Sequence, residues 1–472
     1  MTTTDPSGTP APRRYAIVGT GHRAEMYVAA LLGTHADVGR LVALCDPNST
    51  RMAYYQRQFA AAHPDAAPLP AYAPEDIDTM LERERPDTVI VASVDHTHAD
   101  HISRALRAGH DVITEKPLTT DAAGCATIAA AVADSGRDLV VTFNYRYSPR
   151  NAAVRRLIAE GAIGAVTSVH FEWVLDSVHG ADYFRRWHRD KSLSGGLFVH
   201  KATHHFDLVN WWVDAVPETV FALGDLRFYG DANAEERGLG ERPARSHGAP
   251  DAGRDPFALD LAGNERLRQL YLEAEAEDGY IRDQDVFAPG ITIEDNMALL
   301  MQYAGGPMLS YSLNAHGPWE GYRVSINGTE GRIELSVVER AAVVAADDVI
   351  GGFGVAVDPS ATPEEVQAAS GVRVEGTELV LQRRWEAARR IEVPEGPGAH
   401  GGGDALLLDD LFRPGTRPDP LGQAAGWLDG VRSVLVGAAA NHSLNTGQVV
   451  HLADFGIPLR PEAAAAPAGS TR

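Results

Sequence analysis

The sequence predicts an α/β domain built on a doubly wound parallel sheet, followed by an α+β part built on an open, mostly antiparallel sheet. Three observations carry that prediction. A glycine-rich turn joins a short apolar run to a helical pattern near the N-terminus, strand and helix patterns then alternate as far as residue 143, and strand signals paired through glycines follow residue 297. At 472 residues the chain is too long for one core of the usual size, so two or three domains are expected.

Residues 15–19 form the first strand pattern, and Gly19-Thr20-Gly21-His22-Arg23-Ala24 leads directly into a helical pattern over 24–32. In this setting the glycines have separate tasks. Gly19 permits the tight turn, Gly21 lets the backbone approach a pyrophosphate, and Ala24 allows close helix packing, with His22 and Arg23 at the helix start that faces the anion. The unit is that of a Rossmann dinucleotide-binding domain. A second strand, 40–45, ends in Asp46. A carboxylate there accepts hydrogen bonds from both adenine-ribose hydroxyls and repels a 2'-phosphate, which favours NAD over NADP, although Arg51 nearby leaves NADP open.

The alternation continues through a helix over 75–84, a strand over 88–92, a helix over 99–108, a strand over 111–114, a helix over 121–133 and a strand over 139–143. In such a sheet the ligand lies beyond the carboxyl ends of the strands. Those ends supply the further cofactor candidates Ser93, His98, Glu115, Lys116, Asn144 and Arg146. Lys116 is the sharpest of them. Pro117 stops the strand from continuing, so the lysine is aimed at the crevice, where burial and a positive nicotinamide would depress its pKa and fit it to take a hydroxyl proton. An ion pair of Lys116 with Glu115 at the surface is the plainer alternative. His96, His98 and His101, in the order H-x-H-x-D-H, also permit a zinc hydrolase site, but that reading leaves the glycine loop and Asp46 without a purpose.

A substrate wall is expected over 194–212, SGGLFVHKATHHFDLVNWW, where helical spacing puts His200, His204 and Asp207 on one face and Lys201 and His205 on the next. Just before it, Trp187 is suited to stack on a sugar or nicotinamide, and His188 and Arg189 to bind hydroxyls. After a helix over 151–160 and a strand over 166–175, residues 231–285 are acidic and poor in strand signals. They read as an insertion over the substrate face or a subunit interface, with helical character over 259–277. Strands over 297–303 and 308–313 meet through Gly305-Gly306, and those over 323–327 and 332–337 through Asn327-Gly328. Helices are expected over 405–412, after three glycines, and over 422–440. The expected divisions are a disordered leader over 1–12, a nucleotide domain over 13–146, a substrate and oligomerisation domain over 147–460 and a disordered tail over 461–472.

The formal net charge of -22, with no basic run, excludes a nucleic-acid surface. No stretch is long and apolar enough to span a membrane, and two isolated cysteines, Cys45 and Cys125, suit a reducing compartment, so a cytoplasmic protein is expected. Antiparallel strands with one uncovered face favour a homodimer or homotetramer.

The motifs GTGHRA, ALCDPN, SVDHTHADHISRALRAGHDVITEKPL, FNYRYSP and SGGLFVHKATHHFD together resemble the Gfo/Idh/MocA family, and IEDNMALLMQYAGG and WEGYRVSINGTEGRIEL extend the resemblance over most of the chain. The resemblance implies hydride transfer between NAD and the CH-OH carbon of a sugar or cyclitol. It also implies that Lys116 and His204, which match the family's lysine and the histidine of its D-x-x-x-H pattern, share the acid and base work. His200 stands where that pattern has aspartate, and Lys201 or His205 is placed to compensate. NAD-assisted glycoside cleavage, by transient oxidation, elimination and reduction, is the alternative that this departure keeps open. No metal is required by either.

Overall fold

The computed structural model describes residues 11–250, 252–343, 373–394 and 403–460. Most of the expected leader, the whole expected tail and the residues just before Gly403 lie outside them. The first sheet contains β1 (Arg13–Val18), β2 (Gly39–Cys45), β3 (Ala71–Tyr72), β4 (Thr88–Val91), β5 (Asp111–Thr114) and β6 (Leu139–Val141). Their order is β3-β2-β1-β4-β5-β6, and every neighbouring pair is parallel. Helices α1 (Ala24–Leu32), α2 (Ser49–Ala62), α3 (Ile77–Glu84), α4 (His98–Arg107) and α5 (Ala122–Ser135) make the crossovers. Covered on both faces, the strands are apolar along most of their length; all four residues of β4 are buried. The order reverses between β1 and β4, which opens a crevice at their carboxyl ends.

After α6 (Pro149–Ala159), strand β7 (Val166–Asp176) begins the second sheet. The chain then passes through α7 (His179–Arg185), α8 (Lys191–Ser194), α9 (Leu197–His200) and α10 (Ala202–Val213) to β8 (Pro217–Asp225). The run of helical spacing expected after the glycine pair is thus divided into two helices, α9 and α10. Gly195 and Gly196, at φ 71° and 74°, turn the chain between α8 and α9, and Lys201 sits at the joint between α9 and α10. Helices α11 (Asp231–Glu236), α12 (Glu265–Leu267) and α13 (Glu275–Asp278) lie in the stretch before β9 (Asn296–Tyr303). The helix expected over 259–277 is confined to α12, a π turn at Arg268–Leu272 and α13.

The second sheet is completed by β10 (Met308–Gly317), β11 (Glu320–Gly328), β12 (Gly331–Arg340), β13 (Gly376–Arg383), β14 (Arg389–Ile391) and, following α14 (Gly403–Phe412) and α15 (Trp427–Thr446), β15 (Val450–His451). Its order is β14-β13-β12-β11-β7-β10-β9-β8-β15, antiparallel except for the pair β7 and β10. Strict alternation makes one face apolar: β9 buries Met297, Leu299, Met301 and Tyr303 and turns the residues between them outward. The outward face nevertheless carries Leu223, Leu300 and Met308, exposed to 64%, 61% and 58%.

Two late helices join the halves. Leu407, Leu411 and Phe412 of α14 return to the first sheet's core, where the Phe412 ring meets Tyr15 edge-on at 5.1 Å. Helix α15 packs on α5 and β6 on one side and on α9, α10 and β8 on the other. The carboxyl ends of the parallel strands are therefore held against α9 and α10. No described helix is long and apolar enough to cross a membrane.

Candidate active site

A cavity of about 550 Å3 lies in that junction, with the glycine loop at one end and the α9–α10 joint at the other. At the nucleotide end Gly19 has φ 91°, and a Cβ there would fall 2.4 Å from the Ser93 amide nitrogen, so a larger residue would push the β1 and β4 loops apart. The Asp46 carboxylate accepts from the Thr20 amide at 2.6 Å and the Asn48 amide at 2.8 Å, which fixes it beside the loop. Glu115 is buried and accepts from Arg23 Nε and from the Tyr27 hydroxyl, both at 2.6 Å. It therefore ties the start of α1 to the end of β5. Gly21, His22, Arg23, Asp46, Ser93 and Asn144 all face the cavity. A glycine turn, a helix start and an acidic residue at the end of β2 fit a dinucleotide.

At the other end, Lys116 reaches into the cavity and donates from Nζ to the His200 carbonyl at 3.2 Å. Burial pushes its amine down to about 8; the Asp95 carboxyl opposes that shift and the Lys201 ammonium adds to it. His200 Nδ1 lies 2.5 Å from Asp95 Oδ2. Burial drives the Asp95 carboxyl up and the His200 imidazole down, and the short contact joins the two side chains as one hydrogen-bonded pair. Lys201 donates to the Tyr145 hydroxyl at 3.1 Å and lies 4.8 Å from the Trp173 ring centre; burial lowers its pKa too. His204 stacks on Tyr145 at 4.3 Å and opens onto the cavity.

Trp187 and His188 form the third wall, their rings 3.6 Å apart, with His188 edge-on to His200 at 4.0 Å. The buried Nδ1 of His188 has no hydrogen-bond partner among the described residues. A polar atom left this way beside a cavity is suited to a ligand hydroxyl.

Four residues expected at the cofactor or substrate are turned elsewhere. Both ring nitrogens of His98 face carbonyls, of Pro117 at 2.9 Å and Ser93 at 3.1 Å, so its ring braces the loops after β4 and β5 from behind. Arg146 is locked in a buried bidentate pair with Asp207, at 2.8 and 2.6 Å, and reaches Asp429 at 3.2 Å. Arg189 donates to the carbonyls of Asp285, Ala288 and Pro289, fastening the segment ahead of β9. His205 is wholly buried, bonded to the Tyr311 hydroxyl at 2.7 Å and stacked on Trp173 at 4.1 Å. Conversely, Tyr271 and Tyr280 line the cavity without having been singled out from the sequence, and Asp95, Tyr145, Tyr183 and Arg186 line it from stretches in which only their neighbours were named as candidates. Asp95 lies within the strand-end segment 93–98, where its position was the available signal. As for the zinc alternative, His101 Nδ1 lies 3.2 Å from the Ser93 hydroxyl, and no group of three or more His, Cys, Asp or Glu among the described residues is placed to hold a metal ion.

Comparison with known proteins gives the following. Residues 13–143 match the model of an oxidoreductase family's NAD-binding Rossmann fold, and residues 155–452 match its C-terminal alpha/beta domain. The chain is 36% identical over 431 residues to YteT of Bacillus subtilis (strain 168), an oxidoreductase by name, covering 89% of this chain and 93% of that protein. Over 209 residues it is 31% identical to an inositol 2-dehydrogenase of Rhizobium meliloti (strain 1021), covering 44% of this chain and 57% of the relative. In fold it is similar to aldose-aldose oxidoreductase of Caulobacter crescentus, with a TM-score of 0.57 at 17% identity, over 93% of this chain and 99% of the other.

Proposed function

The chain belongs to the Gfo/Idh/MocA oxidoreductase family, and from that premise we propose that it is an NAD-dependent dehydrogenase acting on a secondary alcohol of a sugar, cyclitol or glycoside. The observation that carries this reading is Lys116, an amine with a pKa near 8 standing between the glycine loop and the histidine-bearing helices. Bound NAD would supply the hydride acceptor. The chain's part is to hold the substrate carbinol beside Lys116 Nζ and to take its hydroxyl proton as the C–H hydride departs, leaving a ketone. His204 lies on the same cavity wall and serves as the second acid or base. The Asp95–His200 dyad is a positioning unit: it holds the backbone whose carbonyl receives Lys116. Trp187 offers a flat apolar face to a sugar ring and His188 Nδ1 a partner for a hydroxyl, a pairing frequent in small-molecule sites. Asp46 favours NAD over NADP. A cytoplasmic homo-oligomer, paired through the open sheet face that bears Leu223, Leu300 and Met308, completes the proposal.

The test is absorbance at the NADH band with NAD and a panel of cyclitols, free sugars and glycosides, paired with product analysis. Growth of the band with formation of a ketone supports the dehydrogenase. Silence across the panel, with saturable NAD binding and no product, removes it. A second reading, NAD-assisted glycoside cleavage, is favoured by one feature: Tyr271 and Asp278 reach over the nucleotide end of the cavity, as suits a retained cofactor. Release of aglycone without net NADH would select it.

A further inference from the structure

The second half of the segment between β8 and β9 lies on the start of α2. Glu277 accepts from the Ser49 amide at 2.6 Å and the Thr50 amide at 3.0 Å, while the Asn48 side chain donates to the Ala274 carbonyl at 3.0 Å. Asn48 Oδ1 takes the next amide, that of Arg51, at 3.1 Å, so the first three amides of this 14-residue helix are all engaged. The Arg51 side chain is engaged as well. Its guanidinium pairs with Asp278 and lies 3.6 Å from Asp46 Oδ1. Asp46, Arg51 and Asp278 face the cavity together at its adenosine end, and Tyr271 nearby accepts from the His22 amide at 3.1 Å.

Free amides at a helix start next to a guanidinium are the chemistry that receives a phosphate monoester. Here both halves of such a receptor are filled by carboxylates of the same chain. We propose that Glu277 and Asp278 determine cofactor choice: by occupying the α2 amides and Arg51 they admit a dinucleotide with a free ribose 2'-hydroxyl and reject one carrying a 2'-phosphate. The inference rests on reading the cavity as a nicotinamide dinucleotide site and goes beyond the contribution of Asp46. A 2'-phosphate, with roughly -1.5 to -2 charges at neutral pH, would meet Asp46 and Asp278, while the Arg51 guanidinium is already paired and Glu277 already holds the α2 amides. The selectivity is thus carried by a segment distant in sequence from the nucleotide motif, as repulsion built against the wrong ligand.

The experiment measures NADH and NADPH binding to the whole chain by nicotinamide fluorescence and calorimetry. It compares wild type, Glu277→Ala/Asp278→Ala and the near-isosteric Glu277→Gln/Asp278→Asn. Wild type is expected to prefer NADH by about 100-fold or more, and the alanine pair to narrow that ratio at least about tenfold through tighter NADPH binding. A gain of binding cannot arise from misfolding. The amide pair, which removes charge but keeps bulk, is expected to fall between. Wild type holding both nucleotides within about threefold, or a ratio unchanged in both variants, overturns the proposal and leaves the dehydrogenase reading standing. Equal weakening of both nucleotides makes the segment a strap without selectivity and also overturns it. A chain that takes neither nucleotide overturns both.

Discussion

Lys116→Arg keeps a cation beside the His200 carbonyl but removes a base that can exist near neutrality, since a guanidinium does not deprotonate there. With its amine pushed down to about 8, Lys116 is about one quarter free base at pH 7.5; at its ordinary value near 10.5 the fraction would be about one in a thousand. Burial therefore raises the working base population roughly 200-fold. Adding the gain of a positioned base, arginine is expected to slow oxidation by about 100-fold to 10,000-fold, or about 3 to 5 kcal/mol of barrier. NAD affinity should stay within about threefold, because the loop that cradles the dinucleotide is untouched. The assay is steady-state NADH formation against pH on the substrate found by the panel. In the wild type, kcat/KM for oxidation should rise through an apparent pKa near 8, and the reverse reduction, which needs the protonated amine, should fall through it. Near-normal turnover in Lys116→Arg, or a profile that rises only near pH 10, would refute the assignment.

Burial pushes His101 down to about 4, below its unfolded value near 6.5, so the unfolded chain binds the extra proton between those limits. Its contribution to stability is complete above about pH 6.5 and is lost as pH falls to about 4, some 3 kcal/mol in all. His101→Gln should flatten the fall of Tm between pH 7.5 and pH 5 in calorimetry, and equal slopes in both proteins would contradict this. Asp207→Asn leaves the Arg146 guanidinium buried beside Asp429 alone and should cost about 3 to 5 kcal/mol of stability, read as a lower Tm. Trp187→Ala should raise the sugar KM roughly fivefold, about 1 kcal/mol, with NAD binding unchanged; a loss confined to NAD would put the ring on the nicotinamide instead.

The nucleotide half was legible because its signals are local. Gly19 is required by backbone geometry, Gly21 stands two residues on, Asp46 ends the neighbouring strand, and strand-end position alone pointed to Lys116. What failed were arguments that extend a periodic pattern across a break. His205 has the right helical spacing for a site residue, but the joint at Lys201 lies just ahead of it, and the second sheet brings Trp173 and Tyr311 over its ring. Arg146 and Arg189 are held away from the cavity because a buried guanidinium needs acceptors, which the protein provides from Asp207 and from the carbonyls near 285–289. Helix α2 escaped notice because only Met52, Tyr55 and Phe59 mark its apolar face, in a stretch otherwise polar or small. The hold of Glu277 on α2 joins residues 227 positions apart, a relation no spacing rule contains.

The departure at His200 becomes intelligible on the same terms. Read alone, an imidazole in place of a carboxylate removes the group that would orient and polarise the catalytic neighbourhood. In three dimensions the carboxylate reappears on the opposite wall, as Asp95 after β4, hydrogen-bonded to that imidazole. The exchange has an electrostatic consequence. An isolated aspartate at position 200 would lie beside Lys116 as a full negative charge and draw its pKa upward, toward the value at which almost no free base exists near neutrality. With the carboxyl carried by Asp95 and paired to His200, the hydrogen-bonded scaffold is preserved, and burial remains the largest influence on Lys116, ahead of the opposing pull of Asp95.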